Sequence, residues 1–264
     1  MADITLTYKG NTIAEISDSG SKTLQTEGKY CEGNIGLTYV KPSGGNSFPV
    51  KKIKGLTNLF RGTTWDSTTV EIDFDGADIN TSISTTISAN ACFATANIEH
   101  LIIKNLTINN ATATSFCEQT NNASIIKTIT FTDCTIKPSN INSFVRYGST
   151  LQSVTGEIDM TNVTNMNACF QNCTSLTSIR FKANSLKIST NAMNQCPFDD
   201  ATLVNLGNSL DGTVTGKTIT LASTQKTRCG TLMGTNNSGT FVADAQGSMS
   251  LETFITTVKG WTLA

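Results

Sequence analysis

The sequence has little proline, little histidine and little charge. Four prolines and one histidine occur among 264 residues, and Asp, Glu, Lys and Arg together make up 15% of the chain. Nineteen basic and twenty acidic residues nearly cancel, which excludes the strongly basic surface that nucleic acid or an anionic membrane would require. The lone histidine, His100, falls at the edge of a predicted strand, where a structural or solvated role is expected instead of catalysis.

Long hydrophobic runs are also absent, so no transmembrane helix is predicted. The first five residues show no basic segment leading into an apolar one, so no secretory signal is predicted either. Folding in a bacterial-type cytoplasm favours reduced cysteines. We therefore expect the eight cysteines to be buried free thiols that pack as small hydrophobic side chains, with disulfides as the alternative.

Motifs for metal and cofactor binding are missing as well. The sequence has no CxxC pair and no cluster of Cys with His, so no metal site is predicted. It has neither a GxxxxGK[ST] loop nor a GxGxxG turn after a strand, so no nucleotide cofactor is predicted. The three lysines Lys51, Lys52 and Lys54 form one short basic cluster, which we interpret as the solvated rim of a linker.

Thr, Ser and Asn are abundant, and they favour short strands joined by polar corners. Residues 4–8 and 12–16 alternate between apolar and polar side chains around a turn, which is typical of a hairpin. Further strands are predicted at 23–26 and 34–40. The Pro/Gly/Ser-rich stretch 41–47 has the character of a linker. Residues 1–45 are therefore predicted to form a small β module.

Residues 46–200 contain a degenerate repeat. In its clearest copy, apolar or thiol side chains recur every third residue and then every second residue, as in a tight helical turn that leads into a strand. Earlier copies begin at other phenylalanines, at irregular steps. Stacked coils would align these side chains in one continuous core. The predicted repeat core comprises Phe60, Phe93, Phe116, Phe144, Phe170, Cys173, Leu176 and Ile179.

The segment 201–264 differs in pattern and is predicted to be a mixed α/β cap. A strand is predicted at 218–221 and a short amphipathic helix at 250–258, followed by a last strand near 261–263. The helix would bury one face, formed by Leu251, Phe254, Ile255 and Val258. The predicted fold is therefore mainly β, with a repeat solenoid between a small N-terminal β module and this cap.

The pattern Phe170-x-x-Cys173-x-x-Leu176-x-x-Ile179-x-Phe181 resembles the repeat of BspA-type leucine-rich-repeat proteins. The segments 8–14, 22–31 and 259–263 are similar to the ends of structural proteins from phages of Gram-positive gut bacteria. This resemblance implies a leucine-rich-repeat-like solenoid in a non-enzymatic virion component, such as a tail fibre, baseplate or other appendage, assembled in the host cytoplasm. It also implies a homo-oligomer that contacts other virion proteins through residues 1–45, with a solenoid that binds a host glycan, a host protein or neighbouring subunits.

Two alternatives stay open at this stage. A bacterial surface adhesin would carry a secretion signal and an anchor, and a glycan-degrading tail enzyme would need two carboxylates facing one groove. The carboxylate pairs Asp73/Asp75 and Asp199/Asp200 are more typical of turns, so no catalytic residue is assigned. Trp65 is a candidate ligand anchor, although covering the first coil of the solenoid would equally explain it.

Overall fold

The computed structural model describes residues 56–63, 65, 68–81, 88–120 and 124–264 in full, and the backbone of the strands within 4–8, 11–16, 22–24 and 51–53. The fold is mainly β with few helices and contains a β-solenoid of about four turns, which confirms the predicted fold class. The strands are β1 (Ile4–Tyr8), β2 (Asn11–Ile16), β3 (Lys22–Leu24), β4 (Lys51–Ile53), β5 (Thr69–Asn80), β6 (His100–Asn109), β7 (Thr128–Thr132), β8 (Thr135–Lys137), β9 (Ser153–Ile158), β10 (Ser178–Phe181), β11 (Thr218–Ile219), β12 (Met233–Asn237), β13 (Thr240–Ala243), β14 (Met249–Ser250) and β15 (Thr262–Leu263). The helices are α1 (Asp200–Ser209), α2 (Ser223–Thr231) and α3 (Leu251–Thr253), which continues into a π-helical turn, Phe254–Val258.

The solenoid is built on a parallel sheet whose strands come from successive coils. Strands β5, β6, β7, β9 and β10 lie side by side, and Thr69, His100, Thr128, Ser153 and Ser178 align in register. Within β7 the side chains alternate between half-buried threonines and the buried Ile129 and Phe131. This alternation is the period of a strand with one face on the core.

On another side of each coil lies a short irregular segment. We call these the ladder segments, and they span 56–62, 88–95, 112–119, 140–147 and 165–172. Four main-chain hydrogen bonds join each ladder segment to the next, at intervals of two residues along the chain. Each ladder segment contains a residue in the left-handed backbone region, at Asn58, Ala91, Ser115, Ser143 and Ala168. Asparagine side chains support these bends, since Oδ1 of Asn165 accepts from the N–H of Asn167 at 2.9 Å.

Each ladder segment contributes two adjacent buried positions to the core, and one of the two is always phenylalanine. The pairs are Leu59/Phe60, Cys92/Phe93, Phe116/Cys117, Phe144/Val145 and Cys169/Phe170. Phenylalanine therefore occupies the second position in the first, second and fifth pairs and the first position in the third and fourth. This exchange of position accounts for the irregular spacing of the phenylalanines in the sequence.

The rings form one continuous stack, whose geometry follows that exchange. Where successive rings occupy the same position the planes are stacked, at 5.2 Å for Phe60–Phe93 and 5.2 Å for Phe116–Phe144. Where the position changes the rings meet edge to face, at 5.5 Å for Phe93–Phe116 and 6.4 Å for Phe144–Phe170. Both geometries are favourable for aromatic pairs.

By sequence spacing alone Tyr147 is expected in the core, and the exchange shows why this expectation is wrong. Counting three residues from Phe144, as Cys173 follows Phe170, would put Tyr147 in the core. In the structure Tyr147 is half-buried with a left-handed φ of 64°, and its N–H donates to the carbonyl of Gln171. Gly148 instead faces Cys173, because a Cβ on Gly148 would lie 3.4 Å from the Cys173 sulfur.

The cysteines in the described part of the chain are free, as predicted. Of these seven, six are buried and Cys134 is partly buried; Cys31 lies outside the described residues. Burial raises the pKa of the Cys173 thiol to about 12 and that of Cys134 to about 11. These thiols therefore stay protonated at neutral pH and act as packing groups.

The N-terminal strands extend the sheet of the solenoid. Strands β1, β2 and β3 are antiparallel neighbours, which confirms the predicted hairpin. Strand β1 pairs with the first solenoid strand, β5, through Thr7 and Asp73, and β4 pairs with β5 in parallel. The predicted strand 34–40 and the linker 41–47 lie outside the described residues, and the division into three domains stays a prediction.

Helix α1 covers the last strand of the solenoid. The side chain of Asn205 accepts from the N–H of Phe181 at 2.8 Å and donates to its carbonyl at 3.0 Å, in the way that a further strand would. Beyond α1, β11 pairs in parallel with β15. The predicted helix 250–258 is present as α3 and its π-helical turn, with Leu251, Phe254 and Ile255 buried and Val258 packed against them.

Candidate binding groove

The carboxylates that the sequence singles out have local structural partners. Asp73 Oδ1 accepts from the N–H of Asp75 at 2.8 Å and from the side chain of Asn105 at 2.9 Å. Asp199 caps the start of α1 by accepting from the N–H of Thr202 at 2.7 Å, and Asp200 forms an ion pair with Arg228. These contacts support the interpretation of both pairs as turn and cap residues.

The aromatic and histidine candidates are also bound to their surroundings. Trp65 is 6% exposed, lies 5.6 Å from the ring of Phe60 and donates its indole N–H to Thr63 at 2.8 Å. It packs on the first ring of the phenylalanine stack. His100 is half-buried, with Nδ1 3.0 Å from the hydroxyl of Thr128 in the next coil.

The ladder of main-chain hydrogen bonds is interrupted after its fifth segment. The N–H groups of Ile141, Ser143 and Val145 all donate to the following coil. One coil later, the N–H groups of Met166, Ala168 and Phe170 have no hydrogen-bond partner among the residues that the structure describes.

Two side chains bridge this interruption, and one of them, Cys196, donates its thiol to the carbonyl of Phe170 at 3.8 Å. Asn172 donates its N–H to Oε1 of Gln195 at 2.7 Å, where the preceding coils use a main-chain carbonyl. We refer to the gap between segments 165–172 and 188–196 as the seam. Unpaired main-chain groups are uncommon in proteins unless water or a ligand satisfies them, so the seam is a place where polar groups are available.

A groove of about 350 Å³ lies at the seam. Three successive coils line it with side chains at equivalent positions. The lining residues are Asn142, Ser143 and Arg146 from one coil, Asn167, Ala168 and Gln171 from the next, and Asn191, Ala192 and Asn194 from the third. Alanine at the two central positions leaves room between the amide side chains.

Three of the amides on the walls of this groove are free to bind. Asn167, Asn191 and Asn194 are exposed, and none of their side chains has a hydrogen-bond partner within the described part of the chain. An amide side chain offers two donor hydrogens and an acceptor oxygen. The groove therefore presents both donors and acceptors at regular intervals along the solenoid.

Arg146 is the one charged residue among those lining the groove, and its charge is partly compensated. Its guanidinium lies 4.4 Å from the centre of the Tyr147 ring and donates to the Tyr147 hydroxyl at 2.6 Å. Glu118 of the preceding coil approaches it at 3.8 Å. Nε of Arg146 is buried without a partner among the described residues. The groove is consequently polar but close to neutral.

None of the residues that form this groove was predicted as a site. The signal available in the sequence was the recurrence of asparagine at Asn142, Asn167 and Asn191, which the irregular phenylalanine spacing obscured. Within the described residues, no three side chains of His, Cys, Asp or Glu come together as a metal site would require. The helices in that part of the chain are all too short or too polar to cross a bilayer.

No protein-family model, no curated protein and no solved structure matches this chain.

Proposed function

We propose that this chain is a non-enzymatic recognition component of a phage or phage-tail-like particle, in which the solenoid binds a receptor on the host surface. The observation that carries the recognition role is the groove at the seam, where unpaired main-chain N–H groups and free amides lie together. Unpaired main-chain groups are uncommon unless water or a ligand satisfies them, and a binding site is a reason to keep them.

The assignment to a particle rests on the resemblance of segments 8–14, 22–31 and 259–263 to phage structural proteins. In this proposal residues 1–45 contact other virion proteins, and the chain acts as a homo-oligomer, as is common for symmetric appendages. The local partners of Asp73 and Asp199 favour recognition over glycan hydrolysis, because neither pair faces the groove.

The test is binding of the fluorescently labelled full chain to cells of the bacterium that harbours the gene. We expect saturable binding that unlabelled chain competes away. Labelling of purified particles from that bacterium with an antibody to the chain would locate it on the virion. Absence of saturable binding by the folded chain in its native oligomeric state would contradict the recognition role.

A further inference from the structure

We propose that the groove at the seam binds a neutral polysaccharide that runs along the axis of the solenoid. This inference rests on the proposed recognition function and adds to it the site, the chemical class of the ligand and its direction.

The hydrogen-bonding groups of the groove match those of hydroxyl groups. A hydroxyl both donates and accepts hydrogen bonds. The N–H groups of Ala168, which lines the groove, and of Met166, which lines a depression beside it, can only donate, whereas the free amides of Asn167 and Asn191 can do both. The carbonyls of Ala192 and Asn194, on the other side of the seam, accept no hydrogen bond from any described residue. A polyol can satisfy all of these groups at once.

Other ligand classes fit the groove less well. An anion could not donate to the amide oxygens or the carbonyls, and the one cation, Arg146, already contacts Glu118 and Tyr147. A cation would require carboxylates, and none lines the groove. An apolar ligand would require an apolar lining. A peptide added as a strand needs an extended edge, whereas Ala168 has a left-handed φ of 52°.

The shape of the surface around the groove indicates the direction of the ligand. Two further depressions adjoin the groove. One lies between two of the same coils, is lined by Asn165 and Thr190 and shares Asn167 and Asn191 with the main groove. The other continues the groove along the solenoid, from Asn191 to Thr218 and Thr220. A linear chain can meet equivalent polar groups at each coil.

The first experiment measures binding of the full chain to an array of polysaccharides. The array carries neutral glucans, galactans, mannans and rhamnans beside polymers that contain uronic acid or phosphate, together with polysaccharide extracted from the bacterium that harbours the gene. We expect binding to neutral polymers, with an affinity that rises with oligosaccharide length until four coils are spanned. Binding confined to the anionic polymers, or to none of the polymers, would overturn the inference.

The second experiment uses the double variant Asn167→Ala/Asn191→Ala. Both side chains are exposed and without partners among the described residues, so the fold should be unchanged. Loss of their hydrogen bonds to the ligand should weaken binding about tenfold or more. Asn97→Ala is the matched control, because Asn97 is an exposed asparagine of the coil that carries Phe93 and lies outside the groove. Equal binding by the double variant and the control would contradict the proposed site.

Binding to whole cells separates failure of this inference from failure of the proposed function. Periodate oxidation of the cell surface destroys sugars with vicinal hydroxyls, whereas protease treatment removes protein receptors. We expect cell binding to be lost after periodate and retained after protease. Binding that is lost after protease and is insensitive to the double variant would overturn the polysaccharide while leaving the recognition function intact. Absence of binding to untreated cells would contradict both the polysaccharide ligand and the recognition function.

Discussion

At the scale of single residues, the phenylalanine stack shows how an irregular sequence can build a regular core. Each ladder segment supplies one ring and one smaller side chain to two adjacent positions, in either order. The total volume per coil is thereby kept nearly constant while the position of the ring changes. Cores tolerate substitutions that conserve volume much better than those that leave a cavity.

This arrangement predicts that exchanging a pair costs less than truncating its ring. Phe116→Ala should lower the free energy of unfolding by about 3–5 kcal/mol, because it leaves a cavity in the stack. The exchange Phe116→Cys/Cys117→Phe should cost less than about 1.5 kcal/mol, because the new ring can stack on Phe93 and meet Phe144 edge to face. Urea unfolding followed by circular dichroism measures both values. An exchange variant as unstable as Phe116→Ala would show that the two positions are not interchangeable.

A second prediction concerns Asp159 and acid stability. Burial alone would raise the pKa of Asp159, yet hydrogen bonds from Lys182 and Thr161 together hold this pKa below its ordinary value of 3.8. The ionised form is therefore favoured by folding, and its contribution to stability is present above pH 3.8 and lost as the pH falls through the lower folded pKa. We expect wild type to be more stable than Asp159→Asn at pH 6, with the difference shrinking towards pH 2. A difference that stays constant with pH would contradict this account.

At the scale of elements, the end of the solenoid depends on helix α1. The amide of Asn205 satisfies both main-chain groups of Phe181, which would otherwise be the unpaired edge of the sheet. Asn205→Leu should lower the free energy of unfolding by about 1–3 kcal/mol, because a partly buried donor and acceptor lose their partner.

The graded variant Asn205→Asp tests the same contact, since it keeps the acceptor for the N–H of Phe181 and loses the donor to its carbonyl. We expect its stability to lie between those of wild type and Asn205→Leu. Asn237→Leu, at an exposed position in the same C-terminal region, is the control and should have little effect. Equal stability of Asn205→Leu and Asn237→Leu would show that the contact contributes nothing.

The elements that the sequence predicts well are those with strong periodic patterns. The strands of the solenoid follow from alternation such as that in Thr128–Thr132, and the first hairpin follows from the same signal. Helix α1 escapes prediction because its ten residues include Asn205, Gly207 and Asn208, which are poor helix formers. Its amides serve main-chain groups of distant strands, and that role cannot be seen in local sequence.

The groove escapes prediction from the sequence for a reason that differs from that of helix α1. Its lining residues become neighbours only through the stacking of coils, and the changing position of phenylalanine hides the register that relates Asn142 to Asn167 and Asn191. The unpaired N–H groups belong to Met166, Ala168 and Phe170. These residue types do not indicate that the main-chain N–H lacks a partner. A missing hydrogen bond depends on the distance between coils and not on residue type.

At the scale of the whole molecule, the seam divides the ladder into two parts. Repeat structures gain stability from interfaces between neighbouring units, and four main-chain hydrogen bonds per interface hold the segments from 56 to 172 together. Across the seam, side chains take the place of the ladder: Gln195 accepts from the N–H of Asn172, and the thiol of Cys196 donates to the carbonyl of Phe170.

This difference predicts a local pattern of hydrogen exchange. The amides of Met166, Ala168 and Phe170 should exchange faster than those of Ile141, Ser143 and Val145 by at least about a hundredfold, because an unpaired amide needs no opening step while a paired one does. Exchange followed by nuclear magnetic resonance at single amides measures this ratio. When a polysaccharide binds, hydrogen exchange at the three seam amides should slow, and exchange at the three reference amides should not change. Equal protection of both sets in the free protein would show that the ladder is continuous.

The seam also determines how the molecule responds to mechanical force. A tensile load applied along the axis is shared by four main-chain hydrogen bonds at every intact interface of this face, whereas at the seam the side chains of Gln195 and Cys196 carry it. Elsewhere across the same interface, Asn205 of α1 holds the main chain of Phe181 in β10. The stack should therefore bend open at the seam, with the contact between β10 and α1 as its hinge. A receptor seated there would join the two edges of the gap, so that engagement with a cell would stiffen the molecule at the place where it is most compliant.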